Sequence, residues 1–228
     1  MMFDRCYYIN LDRSTERRDR FERNVAAVDW PFPKPIRFAA IQEDAPPAHC
    51  AGRGAWSVLR SHVEIFHKCI MEGVPSVVVF EDDAVFPEDF GDRVREFMAA
   101  VPADWQQIYL SASHTSMPKV VNDKVLRCTC ANLGLAYALQ GGGLSKCHAF
   151  LASVPGVIAH KNLHIDTIFA TLHEGEQIKA FCPWSNLVGH DVGPSERLAS
   201  QGTIGVWNHV EWFNLSDKTI HQLRESLC

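Results

Sequence analysis

Several motifs that would assign a reaction class outright are missing from this chain. No two cysteines stand as CxxC, no histidine pair flanks a glutamate as HExxH, and neither GxSxG nor GxxxxGK[ST] occurs. A dithiol redox protein, a zinc hydrolase, a nucleophile-elbow esterase and a P-loop nucleotidase are therefore unsupported. Gly141-Gly142-Gly143 lacks the spacing of a dinucleotide fingerprint. No apolar run has the roughly 20 residues that a membrane-spanning helix needs. Basic runs are scarce too, the longest being the arginines near residue 17, and the net charge is −5. A nucleic-acid partner held through phosphate contacts is disfavoured. The opening MMFDRCYYINLDR has no apolar stretch behind a basic one, and the closing RESLC carries no retention signal. These ends predict a cytoplasmic protein, at most peripheral to the inner face of a membrane.

What is present describes an ordinary globular chain. Its 228 residues are 46% hydrophobic and 21% charged, enough to bury one α/β core. Eight cysteines (Cys6, Cys50, Cys69, Cys128, Cys130, Cys147, Cys182, Cys228), several of them in apolar segments, read as small hydrophobes of a reduced protein.

Cys6 to Ile9 predicts a short strand ending at Asn10. A helix follows, with Ser14 at its N-cap and Arg17, Phe21 and Val25 on one inward stripe. Glu43 to Gly54 reads as a loop, and Ala55 to Glu72 as an amphipathic helix with His62 inside its apolar arc and Gly73 as the stop. Ser76 to Phe80 is apolar without alternation, the mark of a strand buried on both faces. Further elements are a helix over Asp89 to Val101, a strand within Trp105 to Leu110, a loop over Met117 to Lys124 and a strand over Leu133 to Leu139. Helices over Leu144 to Ala152 and Ile165 to His173 and a strand over Ile178 to Cys182 precede a loop-rich stretch and a final helix near Asp217 to Leu227. The order β-α-β-α-β predicts a doubly wound α/β fold with a central, mostly parallel sheet. The expected organisation is a single domain: residues 1–110 as a nucleotide- and metal-binding half, 111–205 as an acceptor-side half, and 206–228 as a tail helix.

Ligands of open α/β sheets collect outside the carboxyl ends of the strands. Two polar clusters stand there, Asn10 to Arg13 and Glu81-Asp82-Asp83. Three adjacent carboxylates at the mouth of an apolar strand repel one another unless a cation compensates, and a hard divalent ion sharing phosphate oxygens would do so. A solvated acidic turn is the other reading. Arginines at 13, 17, 18 and 20 crowd a helix N-terminus, where the macrodipole favours anions, so a phosphate would relieve them; pairing with Asp12, Glu16 and Asp19 would do so too. His62 is either a core histidine or a substrate-end group. Asp166 starts a helix and could be an N-cap, and His190-Asp191 could supply a metal ligand from a loop.

Tyr8-Ile9-Asn10-Leu11-Asp12-Arg13 with Arg17-Arg18, then Ser61-His62 on a helix, then Val79-Phe80-Glu81-Asp82-Asp83-Ala84, in this order, resembles glycosyltransferase family 25 over roughly residues 5 to 200. That family holds lipooligosaccharide glycosyltransferases and collagen galactosyltransferase domains. The resemblance implies a GT-A fold, a UDP-sugar donor, Mn²⁺ or Mg²⁺, and inverting transfer to a hydroxyl of a glycan or lipid-linked glycan. It implies nucleotide-side contacts from Asn10 and Arg17, with Arg13 and His62 beside them. Asp83 is then a direct metal ligand that His190 completes, and Glu81 and Asp82 have supporting roles at the ribose or a metal-bound water. Asp166 corresponds to the family's later aspartate and is the expected base. Gln140 to Leu144 departs from the family pattern, which leaves the acceptor side open. Other readings are transfer to a protein side chain or a modified nucleic-acid base, a metal-dependent phosphohydrolase or nucleotidyltransferase, and a sugar-nucleotide-binding module without turnover.

Overall fold

The computed structural model describes residues 2–42, 53–157 and 165–191. Of the expected loop over Glu43 to Gly54, residues 43–52 lie outside the described residues and Arg53 and Gly54 begin a helix; the tail helix near Asp217 to Leu227 and the stretch after Asp191 also lie outside them. Along the chain the strands are β1 (Arg5–Asn10), β2 (Ile36–Ala39), β3 (Ser76–Glu81), β4 (Ala84–Val85), β5 (Gln107–Tyr109), β6 (Ser113–His114), β7 (Lys119–Val120), β8 (Val125–Arg127), β9 (Ala131–Asn132), β10 (Ala136–Gln140), β11 (Ala180–Pro183) and β12 (Gly189–His190). The helices are α1 (Thr15–Ala26), α2 (Arg53–Met71), α3 (Phe90–Ala100), α4 (Gly141–Val157) and α5 (Ile165–Glu174).

One sheet has the order β2-β1-β3-β10-β5-β11-β8-β7, and β4 with β12 and β6 with β9 form two small ladders. Strand β1 is parallel to both β2 and β3, and β5 is parallel to β11. Strands β10 and β8 are antiparallel to their neighbours, so these two run against a shared direction and the sheet is mostly parallel.

The unalternating run of β3 has a simple cause: helices cover both faces. Val77 and Val79 point to one side with Leu59 and Phe66 of α2, Leu151 of α4 and Phe169 of α5. Val78 and Phe80 point to the other, with Phe21 of α1 and Phe90, Val94 and Phe97 of α3. Each such side chain contributes roughly 1.5–3 kcal/mol on burial, which holds β3 and the acidic residues after it in one register. The expected doubly wound α/β class is what the chain adopts.

Local signals account for most boundaries. In α1, Phe21 is fully buried and stacks on Tyr8 with ring centroids 4.5 Å apart, so the Arg17-Phe21-Val25 stripe faces inward. Helix α2 stops where Gly73 takes φ +65°, with Val74 N–H donating to Cys69 O and Gly73 N–H to Ile70 O, a Schellman closure. The expected loop over Met117 to Lys124 contains the short strand β7, made by pairing with β8 rather than by any local period. Cys6, Cys69, Cys128, Cys130, Cys147 and Cys182 are buried free thiols. Among the described residues no helix is long and apolar enough to cross a membrane.

The antiparallel direction of β10 places the Gln140 to Leu144 segment, whose role the sequence leaves open. Gln140 pairs with Ser76, at the start of β3, and not with its acidic end. Gly141 to Gly143 therefore sit at the opposite edge of the sheet from Glu81 to Asp83, and their departure from the family pattern does not bear on the acidic mouth. The glycines answer a packing need: a Cβ on Gly143 would come within 2.3 Å of Gln106 O, and Gly141 has φ +50°.

Candidate functional site

Parallel pairing of β1 with β3 sets Ile9 opposite Glu81, so the chain leaves both strands at the same edge and Asn10 meets Asp82. Asn10 Nδ2 donates to Asp82 Oδ2 at 2.7 Å and to Ser14 O at 3.0 Å. Arg37 of β2 donates from Nε to Asn10 Oδ1 at 2.9 Å and from Nη2 to Asn10 O and to Asp12 Oδ1. Donors and acceptors on all sides thus orient the buried Asn10 amide.

Helix α1 lays its first turn over this mouth. Arg17 Nη2 lies 2.5 Å from Asp82 Oδ1 and 3.0 Å from Asp83 Oδ2. Burial works against the Arg17 charge, but Asp83, Asp82 and Glu81 together hold its pKa above the ordinary value. Burial pushes the Asp82 carboxyl up in spite of Arg17 and Asn10. At Asp83 burial acts in the same direction, yet the hydrogen bond and charge of His190 and the charge of Arg17 outweigh it and hold the carboxyl down. Arg17 Nε and Asp83 Oδ1 are buried without a hydrogen-bond partner.

The β4–β12 ladder brings the distant His190 here. His190 pairs with Ala84, and Asp191 N–H donates to Asp83 O at 2.8 Å. His190 Nδ1 then lies 3.7 Å from Asp83 Oδ2, and Arg20 pairs with Asp191.

On the other side of Glu81 stands Asp166, in the first turn of α5 and 9% exposed. Its Oδ1 accepts the Gly134 N–H at 2.7 Å, so Asp166 ties α5 to another segment. Gly134 follows Leu133, whose φ is 93°, a region a branched side chain enters only when its surroundings impose it. A Cβ on Gly134 would lie 3.2 Å from Asp166 Oδ1 and 3.4 Å from Glu81 Oε1. The two carboxylates therefore border one small volume beside the Gly134 backbone.

The structure thus collects Asn10, Arg17, Asp82, Asp83 and His190 into one group, with Glu81 bridging toward Asp166. His62 lies deeper. It is fully buried in the α2 core, and its Nδ1 is 2.6 Å from the Tyr137 hydroxyl. Burial first, then the charges of Cys147, Glu81 and Asp166, push the Tyr137 phenol well up. Arg13 is exposed and donates to Gln42 Oε1. Arg37 and Gly134 were not anticipated from the sequence. Arg37 sits in a short strand after a proline-rich segment, and Gly134 carries no chemistry of its own.

Among the described residues no group of three or more His, Cys, Asp or Glu side chains is arranged to hold a metal. Asp83 and His190 supply two protein donors, and the partnerless Asp83 Oδ1 is the kind of buried atom a cation would satisfy. Two protein donors completed by substrate oxygens and water is a common arrangement for Mg²⁺-like ions, so the residues present fit such an ion.

The sheet, its acidic mouth and its helix-borne arginine define an open, mostly parallel α/β domain with a polar site at the carboxyl ends of β1 and β3. Residues 53–132 match the family model for glycosyltransferase family 25 (LPS biosynthesis protein). The inactive glycosyltransferase 25 family member 3 of Homo sapiens is 27% identical over 268 residues, covering 99% of this chain and 44% of that protein. Procollagen galactosyltransferase 2 of Mus musculus is 24% identical over 242 residues, covering 92% and 39%. The chain is thus similar to glycosyltransferase family 25 proteins, and it spans about two-fifths of the length of the curated relatives it matches. A solved glycosyltransferase involved in glycosylation of the major capsid of PBCV-1 aligns with 8% identity over 67% of each chain, at a TM-score of 0.39.

Proposed function

We propose that this chain is a metal-dependent inverting hexosyltransferase that moves a hexose from a UDP-sugar to an acceptor hydroxyl, the acceptor being a glycan such as lipooligosaccharide or a lipid-linked glycan reached in the cytoplasm. The observation that carries this reading is the convergence of Arg17, Asp83 and His190 at the shared carboxyl edge of β1 and β3. There a guanidinium, a carboxylate with one partnerless oxygen and an imidazole stand within reach of one diphosphate.

In this reading Asn10 and Arg17 bind the nucleotide side, and Asp82, held by Asn10, keeps that wall in place. Asp83 and His190 would hold a Mn²⁺ or Mg²⁺ ion, which would neutralise the charge that builds on the departing UDP. Asp166 takes the proton of the acceptor hydroxyl as that oxygen attacks the anomeric carbon from the face opposite the diphosphate. The Gly134 N–H, donating to Asp166 Oδ1, favours the ionised carboxylate that a base requires and fixes its direction.

A second reading keeps the nucleotide site but not the turnover: a sugar-nucleotide-binding module. It is favoured by the relatives of Homo sapiens and Bos taurus, whose names call them inactive or probably inactive. The name of procollagen galactosyltransferase 2 also brings a protein acceptor into the comparison. Incubation with UDP-glucose, UDP-galactose and the N-acetyl sugars, with Mn²⁺, separates the two readings. Mn²⁺-dependent release of UDP supports the transferase, whereas thermal stabilisation by the donor without release supports the binding module.

A further inference from the structure

We propose that Arg17 is a resident counter-cation of the acidic mouth, one that competes with a divalent metal for Asp83 in the free protein and moves to the diphosphate when the donor arrives; this rests on the metal-dependent reading above. The argument starts from how the carboxylates are shared. Arg17 Nη2 bridges Asp82 Oδ1 and Asp83 Oδ2 at 2.5 and 3.0 Å. The guanidinium therefore already occupies the place where the repulsion of two adjacent carboxylates calls for positive charge.

The two carboxylates differ in what remains if Arg17 leaves. Asp82 keeps the Asn10 amide on its other oxygen at 2.7 Å. Asp83 keeps His190 at 3.7 Å and a buried oxygen, Oδ1, that has no hydrogen-bond partner. Asp83 is thus the member of the pair that a metal would complete. An ion bound to it at about 2.1 Å, the usual Mg²⁺–oxygen distance, would stand within a few ångströms of a guanidinium that touches the same carboxylate. Two cations so close repel strongly in a half-buried site.

Arg17 itself is incompletely satisfied, because its Nε is buried without a partner. A guanidinium that bridges two carboxylates through one nitrogen leaves its fork unused, and that fork matches the paired oxygens of a diphosphate. Its position in the first turn of α1 adds the positive end of the helix dipole to that attraction. Free protein should therefore hold metal weakly. Added nucleoside diphosphate draws Arg17 away and opens Asp83, so metal and nucleotide bind cooperatively.

Mn²⁺ titration followed by electron paramagnetic resonance, with and without UDP, tests this on the whole chain and on Arg17→Met. Wild type should bind Mn²⁺ at least about tenfold more tightly with UDP present, within the usual range of site-to-site coupling. Arg17→Met should bind Mn²⁺ alone about tenfold more tightly than wild type, because a like charge is removed, and UDP alone more weakly. Mn²⁺ affinity that is unchanged or lower in a folded Arg17→Met overturns the proposal while leaving the metal reading intact. Failure of wild type to bind Mn²⁺ even with saturating UDP sinks both.

If the variant does not fold, dicarbonyl labelling of wild-type arginines, read by peptide mass spectrometry, decides the matter. Mn²⁺ alone should raise modification at Arg17, and UDP with Mn²⁺ should suppress it. No rise with Mn²⁺ overturns the proposal.

Discussion

Gly134 donates its backbone N–H to Asp166 Oδ1 at 2.7 Å, from a position one residue after a leucine held at φ 93°. A strained turn thus aims a main-chain donor at a carboxylate that stands across Glu81 from the Arg17, Asp82 and Asp83 group. Strain at such a place costs on the order of 1–3 kcal/mol and persists where the surrounding structure imposes it. In the proposed function Asp83 and Arg17 serve the donor sugar's diphosphate while Asp166 serves the acceptor, a division of labour in the site.

That division predicts the behaviour of Asp166→Asn. The amide side chain can still accept the Gly134 N–H, so the fold and the nucleotide wall should survive. Transfer, or donor hydrolysis with water as acceptor, should fall by roughly 10²–10⁴, the usual contribution of a positioned base. UDP affinity, measured by calorimetry with Mn²⁺, should stay within about twofold, far inside the tenfold that 1.4 kcal/mol would give. A parallel loss of UDP binding would place Asp166 on the nucleotide side instead.

The glycine triplet makes the opposite kind of prediction. Gly143→Ala pushes a methyl to 2.3 Å from Gln106 O, an overpacking that costs about 1–3 kcal/mol. Because Gln140 pairs with Ser76, at the far edge from Glu81, the variant should unfold at lower urea yet bind UDP with Mn²⁺ as wild type does while folded. Loss of UDP affinity in the folded variant would return this segment to the site.

Stability should also fall in mild acid, and His173 provides a defined part of the slope. Its Nδ1 accepts the Ala131 N–H at 3.3 Å and its Nε2 pairs with Gln107 Oε1 at 2.9 Å, a set only the neutral imidazole satisfies. Burial, then the charge of His114, lower its pKa to about 3. Between that value and the ordinary histidine pKa of about 6.5 the unfolded chain binds a proton that the folded chain refuses, so stability is full above about 6.5 and falls as the pH drops. At pH 5 the loss from this residue reaches up to about 2 kcal/mol. Urea unfolding of wild type and His173→Gln at pH 5 and pH 7.5 checks this, the variant being expected to show the smaller difference between the two.

The parts of this architecture that were legible in the sequence are those with a local period. The unbroken Val77 to Phe80 run marked a strand covered on both faces, and with it the position of Glu81 to Asp83. The Arg17-Phe21-Val25 spacing placed an arginine on the inward side of its helix. Strand direction leaves no such period, so the sequence leaves the place of the Gln140 to Leu144 segment open, and β10 carries it to the far edge. Two-residue strands are equally silent. His190 reaches Asp83 only because β12 pairs with β4, a long-range ladder that no window of residues encodes. Arg37 escaped notice because its partner is a backbone carbonyl and an amide on another strand, and Gly134 because its contribution is an N–H every residue but proline has.

The central claim is that the Asp83 edge of β3 supports metal-dependent cleavage of a UDP-sugar. The most direct measurement is UDP release from UDP-galactose and UDP-glucose by wild type and Asp83→Ala, with Mn²⁺ and with chelator. The account predicts release by wild type that chelator stops and that Asp83→Ala lacks, the variant remaining folded by circular dichroism. Release at the wild-type rate by Asp83→Ala, or release by wild type that chelator leaves untouched, would contradict it.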